Sequence, residues 1–201
     1  MEADPLLAPL AEGRSELVGL ALWLLQERSR GPASPWAPLL AALPAATDSP
    51  LLWPAEERSR LLAGSPVEAE AAAREAALRQ EWREIQQLVD ASAGGATSYP
   101  PRVFNEAAFF QAMAVVLAQA AYLPSAQCFA LLPLVGGLAR TGSSGGAVLD
   151  YDLERQAAVL TAGQPLGPGK EVAIYDGRPN GELLLATGEA RFPFFPFPFM
   201  C

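Results

Sequence analysis

Residues 165–188, PLGPGKEVAIYDGRPNGELLLATG, constrain the fold more than any other stretch of the chain. A turn built on Gly167, Pro168 and Gly169 leads into a short strand expected over 171–175. A second turn, DGRPN, then opens a short helix expected over 181–186, with Asn180 suited to cap it and Glu182 a solvated acid in its first turn. Ahead of this unit the hydrophobic period is helical to about residue 123 and strand-like from about 124.

The helical part has clear punctuation. Ser15 can cap a helix whose apolar residues Leu17, Leu20, Leu24 and Leu25 recur at helical spacing, and Gly31-Pro32 stops it. The stretch from Trp36 to Trp53 is broken by prolines and reads as short turns pinned by two tryptophans. Pro54 suits a first helical position, and Gly64 ends that helix. Ser65-Pro66-Val67-Glu68 has the form of a capping box, so the next helix begins at once and runs to about Asp90. Its dry stripe is Leu78, Trp82, Ile85 and Val89, and Glu70–Arg74 and Glu75–Arg79 pair on its wet face. Residues 91–102 form a loop by composition. Asn105 caps a further helix, with Phe104 and Phe109 at staple spacing, ending near Tyr122. Beyond it, 129–135 is expected to be a buried strand, and 147–151 with 157–161 a hairpin. On that hairpin, alternation puts Asp150 and Asp152 on one face, read as surface charge.

Several chemistries are excluded. The chain has no histidine, so there is no Ser-His-Asp or Cys-His catalysis and no histidine-ligated zinc. Cys128 and Cys201 are too few for a four-cysteine site and make no disulfide framework; Cys128, within QCFALLPL, is expected to be a buried, inert thiol. The net charge of −8 argues against a nucleic-acid binder. No apolar run reaches the roughly 20 residues of a membrane helix, the best (17–25) being closed by Glu16 and Glu27. The GSSGG loop at 142–146 lacks the Lys-Ser/Thr of a phosphate loop and reads as flexible. MEADPLLAPLAEG has neither the basic, serine-rich character of a transit peptide nor a secretory n-region, so a cytosolic location or a missing true N-terminus is expected.

The 165–188 unit resembles the closing segment of a SET domain, and is most similar to plant SET proteins related to the Rubisco large-subunit lysine methyltransferase. The order Trp36, Leu43-Pro44, Thr47-Asp48-Ser49, Trp53 is similar to the same family. The resemblance covers roughly 15–189. It implies an α+β fold, with a helical SET insertion lobe followed by a small, incomplete SET-type β-sheet. The expected units are a disordered segment 1–14, the lobe 15–123, the C-terminal half of the SET domain 124–190, and an irregular aromatic and proline tail 191–201. The Gly-x-Gly half and the C-terminal helical domain of the family have no counterpart, so the chain is expected to be a middle slice of a larger protein.

What the resemblance implies about chemistry is S-adenosyl-L-methionine-dependent methyl transfer to a lysine of a protein partner, in a chloroplast. It also shows where this sequence departs. The family's Asn-His at the adenine corresponds to Ala139 and Arg140, preceded by Gly136 in place of Asp. Thr187 stands at the tyrosine of the closing motif and Glu189 at its phenylalanine. Gln119-Ala120 replaces Ser-Arg. Tyr175 lies one residue from another family aromatic and is a candidate partial substitute. Catalytic roles therefore fall to Tyr175 and Thr187, and cofactor contact to Ala139 and Arg140, with no metal. With these positions altered, the chain alone is expected not to bind S-adenosylmethionine; a non-catalytic SET-like interaction module is the alternative reading.

Overall fold

The two central helices begin at their predicted caps. Ser15 Oγ accepts the Val18 N–H at 3.4 Å and Asn105 Oδ1 accepts the Ala108 N–H at 3.0 Å. The computed structural model describes residues 7–92, 99–143 and 145–190. In chain order its helices are α1 (Ala8–Ala11), α2 (Glu16–Arg30), α3 (Ala37–Ala42), α4 (Ala55–Leu62), α5 (Pro66–Ala91), α6 (Glu106–Gln119) and α7 (Asn180–Thr187). Between α6 and α7 run β1 (Ala121–Leu123), β2 (Cys128–Ala130), β3 (Ala139–Thr141), β4 (Val148–Asp152), β5 (Ala157–Thr161) and β6 (Ala173–Tyr175). The fold is α+β, as expected.

α6 is apolar on nearly every side, and it lies inside the lobe. Phe109, Ala112, Val115 and Val116 are fully buried. α2 packs along it, with its Leu22 and Leu24 fully buried, and α5 delivers Trp82, whose ring centroid is 5.4 Å from that of Phe109. The dry stripe of α5 is as read, with Trp82, Ile85 and Val89 buried and Leu78 partly so. Arg74 pairs with Glu70 at 2.7 Å and Arg79 with Glu75 at 2.6 Å on its wet face.

Local expectations needed correction in several places. Residues 1–6 of the segment expected to be disordered lie outside the described residues. From Leu7 onward the chain is folded: α1 buries Leu10, and Arg14 reaches Glu81 and Glu84 of α5. The capping box at Ser65 does not close. α4 ends just before it, so the Ser65 hydroxyl donates back to the Leu62 carbonyl at 2.7 Å, while Glu68 accepts the Gly64 N–H at 3.0 Å. α6 stops at Gln119 rather than Tyr122, because Ala121–Leu123 pairs with Cys128–Ala130 as a hairpin. The strand expected over 129–135 is correspondingly short. Pro133 supplies no ladder donor and Leu134 is left-handed at φ 68, so pairing ends at Ala130. Cys128, expected to be buried, is half-buried on that hairpin.

The sheet is small and broken into pairs. β4 and β5 form the expected hairpin, tied to the β1–β2 turn where Asp150 accepts from the Ser125 N–H at 2.9 Å and hydroxyl at 2.7 Å. β3 and β6 run parallel, and Ala147 extends this pair by a parallel bridge to Ile174. The tail 191–201 lies outside the described residues, as do 93–98 of the loop after α5.

α7 returns from the strands to the helical lobe. Leu185 is buried with Leu62 and Ala71, between α4 and α5. Ser49, fully buried, donates to the Leu185 carbonyl at 2.5 Å. Gly188 ends α7 at φ 80, and a β-carbon there would collide with the Asp48 carbonyl. Gly188→Ala is expected to lower the unfolding free energy by about 1–3 kcal/mol through left-handed strain, with the clash adding to it. A urea titration would register this as a lower midpoint with an unchanged slope. An unaltered midpoint would contradict the close approach.

Candidate functional site

A cavity of about 390 Å³ opens where the end of α6, the 44–47 loop, β3 and α7 meet. Each wall has a local cause. α6 stops at Gln119 because Ala120 turns extended (φ −68, ψ 136), which leaves Ala118 and Gln119 at the rim. The 3₁₀ turn Val135–Gly137 leads the chain into β3, bringing Gly136, Leu138, Ala139 and Arg140 to the opposite wall. α7 contributes Leu183 and Thr187, with Glu189 just beyond its end.

This cavity gathers Ala139, Arg140 and Thr187, which are far apart in sequence, together with Gly136, Gln119 and Glu189. Tyr175 is elsewhere. It closes β6 opposite Thr141, stays half-exposed and folds its phenol over Gly177. The parallel register explains the separation, since it pairs Ala139 with Ala173 and sets Tyr175 at the far end of the ladder.

Thr187 and Arg140 are already engaged. The Thr187 hydroxyl donates to the Leu183 carbonyl at 2.8 Å and accepts the Glu189 N–H at 3.1 Å, a helix-terminal arrangement. Ala139 offers only its backbone. The Gln119 carboxamide lies across Gly136, so close that any β-carbon there would overlap it. Arg140 donates to Asp176 Oδ2 at 3.3 Å and to the Ala118 carbonyl at 3.1 Å.

Asp176, a turn residue by its sequence, is the partner that holds Arg140. Its carboxylate is only 5% exposed and sits between two arginines. Arg178 donates to it at 2.8 Å and also reaches the Leu117 carbonyl at 3.2 Å, while the Asp176 N–H bonds the Thr141 carbonyl at 2.9 Å. Both guanidinium groups thus meet the carbonyl end of α6, where orphan acceptors and the helix dipole favour cations. Burial works against the charge. Even so, the hydrogen bonds from the Arg178 side chain and backbone, with the charges of Arg178 and Arg140, hold the Asp176 pKa at about 2. The D-x-R spacing was the one available hint. Carboxylate burial has no sequence signature.

Among the described residues no cluster of acids and cysteines could hold a metal ion, and no helix is long and apolar enough to cross a membrane. No protein-family model and no curated protein matches the chain. Its fold is of the SET type. Among solved structures it is similar to Rubisco LSMT bound to AdoMet, with a TM-score of 0.71 and 21% identity over 92% of this chain and 42% of that one. It is similar also to the SET domain of LSMT bound to lysine and AdoHcy, with a TM-score of 0.70, 21% identity, and 92% and 43% of the two chains covered. A third is Rubisco LSMT bound to sinefungin and monomethyllysine, with a TM-score of 0.66 and 21% identity over 92% of this chain and 42% of that one. These are likenesses of fold, and the chain spans less than half the length of the structures it matches.

The Asp176 cluster makes a pH prediction. Its folded pKa lies below the value of about 4 for an unfolded aspartate, so its stabilisation is complete above pH ~4 and disappears as pH falls toward 2. The shift corresponds to about 2 kcal/mol. Asp176→Asn is expected to lose this contribution at pH 7 and to show a flatter stability profile between pH ~4 and ~2 than the parent, followed by urea unfolding. Parallel profiles for the two proteins would remove Asp176 from this role.

Proposed function

We propose that this chain is a protein-lysine N-methyltransferase-type SET unit that acts in a plastid on a protein presenting a lysine, and that its 201 residues do not turn over methyl donor by themselves. The observation that supports the reading is the cavity between α6, β3 and α7. It collects the positions at which the family resemblance puts cofactor-binding and closing-motif residues, and each carries a group unsuited to that role or withdrawn from it.

The residues do not fit S-adenosylmethionine. At Ala139 only backbone groups are available to its adenine, with no side-chain hydrogen bond to add. Its carboxylate needs a cation, and the Arg140 guanidinium is latched to Asp176 and the Ala118 carbonyl. The Thr187 hydroxyl is engaged with its own helix end. Each missing hydrogen bond costs about 1–3 kcal/mol, so two or three together remove on the order of a hundredfold or more in affinity.

A second reading, a SET-like protein-interaction module without catalysis, is favoured by the same latch. Arg140 held by Asp176 strengthens the tie between sheet and lobe but leaves no group poised for chemistry. Calorimetry of the chain with S-adenosylmethionine is expected to show no saturable binding. A dissociation constant in the micromolar range would overturn the proposal. Labelled methyl donor supplied with plastid stromal extract is then expected to give no transfer, and transfer to a protein lysine by this chain alone contradicts both readings.

A further inference from the structure

We infer that the outer edge of β5 is a docking edge for a second copy of this chain, which pairs with it through its own β5 in antiparallel register. None of the residues involved lines the cavity, and the contact does not depend on the methyl-transfer reading.

β5 is left open on one side. Among the described residues it pairs with β4 alone, and no backbone hydrogen bond from 157–161 leads anywhere else. In an antiparallel pair alternate residues turn N–H and C=O away from the partner strand, so β5 presents unpaired donors and acceptors along its far side. Ala157, Ala158 and Thr161 are exposed, and Val159 and Leu160 are half-buried. The side chains that usually blunt such an edge are missing, since 156–164 contains no charged residue and no proline. A lone hairpin is marginal in water, and further strands on its edge stabilise it.

The sequence of the strand favours its own copy as the occupant. A two-fold axis at Val159 sets Val159 against its mate, Ala157 against Thr161 of the second copy, and Ala158 against Leu160 of the second copy. No like charges meet in these pairs, and the central one joins two β-branched side chains. An acidic or basic peptide would find no counter-charge on the strand. Gly163 lies so close to the Gly146 carbonyl that a β-carbon there would overlap it, so the free edge ends near Thr161 and the register is confined to the strand itself. The product is a four-stranded sheet, with the half-buried Leu149, Tyr151 and Leu160 of both copies on one face.

Sedimentation of the full chain from about 10 μM to about 1 mM tests this contact, since a ladder this short makes a weak interface. Salt of about 0.15 M screens the repulsion between two chains of net charge −8. The average mass is expected to climb from one chain toward two as concentration rises. A double variant, Ala157→Lys with Thr161→Lys, sets like charges opposite each other at both ends of the ladder and is expected to weaken association at least about tenfold. A second, Ala157→Lys with Thr161→Glu, sets opposite charges at the same two places and is expected to associate at least as well as the parent. Both positions are exposed, and thermal melting checks that each variant is folded.

A chain that stays monomeric throughout overturns the inference and leaves the edge to a different polypeptide. Association that the first variant leaves unchanged overturns it too, by moving the contact elsewhere on the surface. Loss of association in both variants rules out the antiparallel self-pairing.

Discussion

The tertiary structure depends on one buried carboxylate. Asp176 holds Arg178 and Arg140 at 2.8 and 3.3 Å, and both arginines also bind the last carbonyls of α6. The strands at this junction are three residues long and pair with few neighbours, so their own ladders supply little cohesion. The arginine–aspartate cluster joins β3, β6 and the core helix at one point. Removing either kind of partner would leave a charge uncompensated where water is largely excluded.

A second tie runs through α7. Leu185 enters the crevice between α4 and α5, Ser49 binds its carbonyl, and Gly188 lets the chain pass against Asp48. These contacts show what the Thr-Asp-Ser run does physically. Ser49 binds the last helix, Asp48 passes close to its end at Gly188, and Thr47 lines the cavity. The cavity is therefore a consequence of docking. Its walls come from an α6 that ends early, a loop held by Ser49, and a helix anchored at its far end.

The same ties account for the chemistry of the site. Arg140, on the cavity wall, turns to Asp176. Thr187 likewise turns to its own helix. Both side chains support the local structure where lobe and sheet meet.

The helices were legible in the sequence wherever the signal is local. Ser15 and Asn105 cap by contacts within one turn, and Leu78, Trp82, Ile85 and Val89 need only the helical period to be assigned to one face. The 165–188 unit was legible in part, as turns, a strand and a helix punctuated by Gly and Pro; Asn180 does not cap that helix but is its first residue, with Pro179 at the cap position, and the strand is only Ala173–Tyr175. The strand read at 129–135 failed because an apolar run does not reveal where pairing ends, which Pro133 and the left-handed Leu134 decide. What only the tertiary structure decided is which distant residues meet. Asp176 read as a turn residue until Arg140 and the end of α6 surrounded it, and the Ser65 box failed because a neighbouring helix end competed for its hydroxyl. Periodicity and caps are short-range properties of the chain. Burial of charge, and the sharing of hydrogen bonds among elements many residues apart, arise only after folding.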